Sequence, residues 1–94
     1  MPRYTVFAHP RVLKFLKQLT EEEVKDRIKQ TIEKLVDYPL SLREMHVEKV
    51  EGAERTFRVR IGRYRMVFHV DKKQKTIFVT HLGKRESIYE RAGD

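Results

Sequence analysis

The stretch that decides the fold is Phe57-Arg58-Val59-Arg60-Ile61-Gly62-Arg63-Tyr64-Arg65-Met66-Val67-Phe68. Apolar and basic residues alternate on both sides of Gly62-Arg63, the period-2 pattern of half-buried strands. A two-residue turn that begins with glycine suits a type II′ hairpin. That turn pairs Ile61 with Tyr64, Arg60 with Arg65 and Arg58 with Val67. Phe57, Val59, Tyr64, Met66 and Phe68 then share one face and pack on whatever else the chain supplies. Arg58, Arg60 and Arg65 share the other face, and His69 joins them by parity.

The remaining elements follow outward from this hairpin. On its C-terminal side, the polar turn Asp71-Lys72-Lys73-Gln74-Lys75 leads to a strand from Ile77 to Leu82, which Gly83 is expected to end. Ser87 to Arg91 reads as a short helix or tail. On its N-terminal side, Met45 to Val50 reads as a strand, with Gly52 as punctuation. Before it, Val12, Leu13, Leu16 and Leu19 form one helical stripe, and Val24, Ile28, Ile32, Leu35 and Val36 a second. His9-Pro10 opens the first helix, with His9 as its cap. Thr20-Glu21-Glu22-Glu23 is a capping-box pattern for the second, which Tyr38-Pro39 stops. Tyr4 to Phe7 is a first strand. The order β-α-α-β-β-β-β predicts an α+β fold, with a helical hairpin on one face of a mostly antiparallel sheet.

At 94 residues the chain is long enough for one domain, 1–94. It has no apolar run near the ~20 residues of a membrane helix, and its first residues carry no signal-peptide core. With no Cys, disulfide frameworks and thiol nucleophiles are excluded. These features point to a cytoplasmic protein with no membrane attachment. The sequence has no phosphate-cradling glycine loop, magnesium-type carboxylate cluster or HExxH pair. His9, His46, His69 and His81 show no ligand spacing, so neither metal nor cofactor is implied.

Charge is unevenly placed. Residues 1–54 hold 10 basic and 10 acidic side chains, whereas residues 55–94 hold 11 basic and 4 acidic. The second part therefore carries the whole net charge of +7. Such asymmetry points to a polyanion, most often nucleic acid. Opposing arginines on a sheet costs stability, by a few tenths to ~1 kcal/mol per directly opposed pair. An anion reverses that sign, because guanidinium groups grip phosphate bidentately and stay charged. The alternative is a solvated face whose arginines pair with glutamates of the preceding strand, such as Glu48. Lys84 and Arg85 add two cations after the last strand. Tyr89 offers either a base-stacking ring or core filling.

Taken together, the helical hairpin, Phe57 to Ile61, Gly62 to Phe68, and His81-Leu82-Gly83-Lys84-Arg85-Glu86 with Ile88-Tyr89 resemble the RelE/ParE superfamily of bacterial and archaeal toxins. The similarity spans essentially the whole chain. The RelE branch implies a toxin of a type II toxin–antitoxin system. It would be a ribosome-dependent, metal-independent endoribonuclease, with mRNA and a small acidic RelB-like antitoxin as partners. The ParE branch implies a non-nuclease toxin that inhibits DNA gyrase. A basic nucleic-acid-binding module without catalysis is a third reading. By this resemblance, Arg65 falls at the phosphate-gripping arginine, Arg85 at the arginine after the last strand, and Tyr89 at the C-terminal tyrosine. Arg58 and Arg60 fall where RelE members have two lysines. Since arginine is a poor general base, that departure implies a weaker nuclease or another base, with His69 a candidate. Arg63, Lys84 and His69 are the candidate substrate-binding residues.

Overall fold

A computed structural model describes residues 3–84. The chain runs through β1 (Thr5–Ala8), α1 (Pro10–Gln18) and α2 (Glu22–Lys34). After two short 3-10 turns, Leu35–Asp37 and Leu40–Glu44, come β2 (His46–Lys49), β3 (Thr56–Ile61), β4 (Tyr64–Asp71) and β5 (Thr76–Lys84). The five strands form one sheet in the order β1-β5-β4-β3-β2. Three pairings are antiparallel, and β1 joins β5 in parallel. The crossover between those parallel strands encloses the rest of the fold, so β1 closes the sheet from the opposite end of the sequence.

The β3–β4 register is the one that the alternation predicts: Ile61 faces Tyr64, Arg60 faces Arg65 and Arg58 faces Val67. Gly62 takes a left-handed φ of +61° and Arg63 does not, as a type II′ turn requires. The buried face of the sheet carries Val59, Met66, Phe68, Val70, Ile77 and Val79. Val12 and Leu16 of α1, Ile28 of α2 and Leu35 close over it. The apolar stripes read at 3–4 spacing therefore meet the period-2 stripes of the strands, and α1 and α2 pack on the same face of the sheet.

Several boundaries differ from expectation. β5 does not stop at Gly83: its pairing with β4 continues through Gly83 opposite Arg65 and Lys84 opposite Tyr64. A bulge between Val67 and Phe68 sets Thr80 out of register, so Val79 and Leu82 both reach the core. The capping box does not form. Glu21, not Thr20, is the N-cap of α2, and it makes no side-chain capping bond. Its carboxylate instead accepts a long hydrogen bond (3.5 Å) from the Tyr64 hydroxyl. His9 does cap α1, its Nδ1 accepting from the Arg11 backbone N–H at 3.1 Å. The expected helix or tail over 87–91 lies outside the described residues.

Candidate functional site

The face of the sheet turned away from the helices gathers the basic residues. Its strand positions run from His46 and Glu48 on β2 through Arg58 and Arg60 to Arg65, Val67 and His69 on β4. His81 and Phe78 continue the row on β5, and Phe7 ends it on β1. This parity is forced by the core: once Val59, Met66 and Phe68 point inward, their neighbours must point out.

The three arginines do not sit alike. Arg65 is only 8% exposed. One terminal nitrogen donates to the carbonyls of Tyr64 (3.1 Å) and Gly62 (3.4 Å), so the guanidinium folds back against its own turn. A buried cation needs such acceptors, because desolvation without partners is costly. Its other donors make no hydrogen bond among the described residues. Arg60, directly across, is exposed. Arg58 is largely covered and its Nε lies 3.5 Å from a Glu48 oxygen. The pairing to Glu48 thus occurs at Arg58, while Arg60 and Arg65 have no carboxylate in ion-pair range among the described residues.

His69 is half-buried on the same face, with Nδ1 3.1 Å from the Thr56 hydroxyl. Arg63 is exposed in the turn. Lys84 pairs with Tyr64, so it takes the opposite parity and the register does not bring it together with the arginines. Arg85 and Tyr89 lie outside the described residues. No group of three His, Asp or Glu side chains able to hold a metal ion occurs among the described residues. No helix among them is long and apolar enough to cross a membrane.

Two features of this face escaped the sequence reading. Arg11, from the first turn of α1, is held by His9 and His81, with Nε 3.0 Å from His9 Nδ1 and a terminal nitrogen 3.3 Å from His81 Nε2. Phe7 and Phe78 stack side by side with centroids 6.1 Å apart. The alternation of β5 could have exposed Phe78, but the parallel β1–β5 register that sets Phe7 beside it carries no local signal.

The model of the ParE toxin family of the type II toxin–antitoxin system parDE matches residues 6–89. The chain belongs to the RelE/ParE toxin superfamily. It is 31% identical over 88 residues to a protein of Methanocaldococcus jannaschii named as toxin RelE1, covering 94% of this chain and 97% of that one. The RelE chain of an archaeal RelE–RelB complex from Pyrococcus horikoshii OT3 is 30% identical, with a TM-score of 0.75 over 90% of this chain and 97% of that chain. The RelB–RelE complex from Methanococcus jannaschii gives 25% identity and a TM-score of 0.74, covering 90% and 96%. A double arginine-to-alanine mutant of E. coli RelE in the free state shares the fold at 23% identity, with a TM-score of 0.72 over 97% of this chain and 95% of that chain. The protein is thus a RelE-like toxin of the type II class. In this RelE/ParE member the sheet face turned away from the described helices holds three guanidinium groups on β3 and β4, with the carboxylates of Glu48 on β2 and Asp71 at the end of β4 as its acidic strand positions.

Proposed function

We propose that this RelE-like toxin is an endoribonuclease that cuts mRNA on the ribosome. The observation that carries the reading is the register-enforced arginine face, in which Arg60 and Arg65 oppose each other with no carboxylate in ion-pair range of either among the described residues. A phosphodiester is the ligand that turns this repulsion into attraction. In the reaction, the ribose 2′-OH attacks the adjacent phosphorus, forming the O2′–P bond as the P–O5′ bond breaks. The products are a 2′,3′-cyclic phosphate and a free 5′-OH. The 2′-OH proton passes to a base, and the departing O5′ takes up a proton. The substrate supplies its own nucleophile, so the protein's part is mainly preorganised positive charge on the phosphorane.

Arg65 stabilises that charge, being fixed by its turn carbonyls before substrate arrives. Arg58 and Arg60 neutralise and position the phosphate, and Arg63 serves the flanking strand, whereas Lys84 stands on the opposite parity and takes no part. Arg85 serves the leaving group or the phosphate, and Tyr89 orients the substrate by stacking. His69 is the candidate base, since Nε2 stays available when Nδ1 engages Thr56. The ribosome completes the site by holding the message bent. A cognate acidic antitoxin of the RelB kind covers the basic face and silences it, in keeping with the RelE–RelB complexes of the archaeal relatives.

A second reading, a ParE-like toxin that inhibits DNA gyrase, is favoured by the family model that matches the chain. The two separate in one comparison. In a translating extract, the wild-type protein is expected to leave cut messages with 5′-OH ends. Arg65→Ala is expected to cut roughly 10²- to 10³-fold more slowly. If Arg65→Ala cuts as well as wild type, the assignment is wrong. Intact message alongside inhibited supercoiling by purified gyrase establishes the ParE reading instead.

A further inference from the structure

Phe7 and Phe78 are large apolar side chains on the face turned away from the described helices, 55% and 38% exposed. Their rings lie within 19° of parallel. They occupy paired positions on β1 and β5, and Phe78 pairs onward with His69 of β4. Nothing in the core needs them there, because the inward residues of the same strands, Val6, Ile77 and Val79, already face the helices. An exposed aromatic pair on a sheet costs solubility unless something covers it.

The charge beside the pair indicates what that is. Arg11 is exposed, and its hydrogen-bond partners are imidazole nitrogens rather than a carboxylate. Its positive charge therefore stays unneutralised among the described residues, held in place by His9 and His81. The aromatic pair is also continuous with the arginine face. With strands about 4.8 Å apart and about 3.3 Å of rise per residue, Phe78 and Arg58 lie roughly 12 Å apart across the sheet. That is a span which a few nucleotides of single strand cover. Flat rings interleaved with fixed cations are the arrangement that holds unpaired bases, through stacking on the rings and phosphate contact at the cations. An acidic peptide would use the cations but has no general need of two parallel rings.

We infer that Phe7 and Phe78 form a base-stacking ledge, with Arg11 as its phosphate contact, that binds single-stranded RNA beside the arginine site. The inference rests on the mRNA reading above and extends it, by giving the message a second point of attachment on this chain. The rings are already near parallel, so a base that stacks on one continues the pair. Arg11 meets the phosphate next to that base, and the strand then crosses His69 toward Arg58.

The test uses the full chain and a short single-stranded oligoadenylate, with binding read by fluorescence anisotropy over a salt series. Phe7→Ala with Phe78→Ala is expected to weaken binding roughly five- to one-hundred-fold, with the salt slope unchanged, because stacking releases no counterions. Arg11→Ala is expected to lower the slope by about 0.7, the loss of one phosphate contact on a single strand. Because the chain contains no Trp, Phe78→Trp supplies a single indole. It is expected to retain affinity and to be quenched by the oligoadenylate but not by inorganic polyphosphate, which has no bases. Unchanged affinity in the double alanine variant overturns the inference, as does an indole that polyphosphate quenches equally. If the double variant keeps its RNA affinity but loses self-association or antitoxin binding, the ledge is a protein contact and the inference is again overturned. The nuclease reading fails separately. A chain that cuts no message yet loses RNA affinity in the double variant keeps the ledge and loses the enzyme. A chain that Arg65→Ala inactivates, but whose ledge variants bind normally, keeps the enzyme and loses the ledge.

Discussion

Arg60 and Arg65 stand directly opposite each other on β3 and β4. The fold relieves their repulsion unequally, burying Arg65 against two carbonyls and leaving Arg60 in water. Arg60 is therefore the residue whose charge the folded state needs least. Arg60→Thr removes the opposed pair and places a β-branched residue in a strand. It is expected to raise the free energy of unfolding by a few tenths to ~1 kcal/mol. The same variant is expected to bind single-stranded RNA more weakly. Urea denaturation and RNA binding measured on one preparation check both halves. A destabilised Arg60→Thr, or one that binds RNA as tightly as wild type, shows that the charge is kept for another reason. Arg65 differs, because its loss also removes the side-chain hydrogen bonds that the Gly62 and Tyr64 carbonyls accept.

At the scale of elements, the two helix starts give the sharpest contrast. α1 begins at His9, whose ring accepts from the Arg11 N–H, whereas α2 begins at Glu21 with no side-chain cap. His9→Ala is expected to cost about 1 kcal/mol, near the middle of the range for losing a helix cap. Thr20→Ala is expected to stay within about 0.5 kcal/mol of wild type, as a surface change away from special features does. Paired denaturant titrations decide the matter; a Thr20→Ala loss as large as that of His9→Ala shows that the capping box forms in solution. The same contrast explains what was legible beforehand. The β3–β4 register could be read because alternation and a glycine turn act over neighbouring residues, and a one-residue slip would bury arginines. The α2 cap was misread because Thr-Glu-Glu-Glu satisfies the local pattern while Tyr64, 43 residues away, engages Glu21. β1 was legible as a strand from its own residues, but its parallel partner β5 was not, since no turn connects them. The arginine face was visible from parity alone. The Arg11 cluster needed the β1–α1 junction and β5 brought together in space.

Across the whole molecule, the net-neutral part of the chain folds mainly into the helices while the basic part builds β3 to β5, so charge segregates by layer. The layers meet at Tyr38, after α2, where its ring contacts Tyr4 at 5.1 Å and Phe57 at 6.2 Å between centroids. Burial is the main cause that raises the Tyr38 hydroxyl above its ordinary pKa near 10; Tyr4 adds to the rise, and Arg55 opposes it. The sign of the consequence follows. The folded state holds this proton more tightly than the unfolded chain, so the contribution is fully present below the unfolded value near 10. It is lost as pH climbs through the higher folded value, because the unfolded chain gains by ionising first. Tyr38→Phe keeps the ring contacts and removes the proton. The denaturation midpoint of the wild type is therefore expected to fall more steeply than that of Tyr38→Phe between about pH 9 and 11. Lysine titration contributes equally to both proteins and cancels in the difference. Parallel curves through that window show that Tyr38 ionises as freely in the folded protein as in the unfolded chain. They then place the ring at a hydrated seam between the layers rather than at the edge of the core.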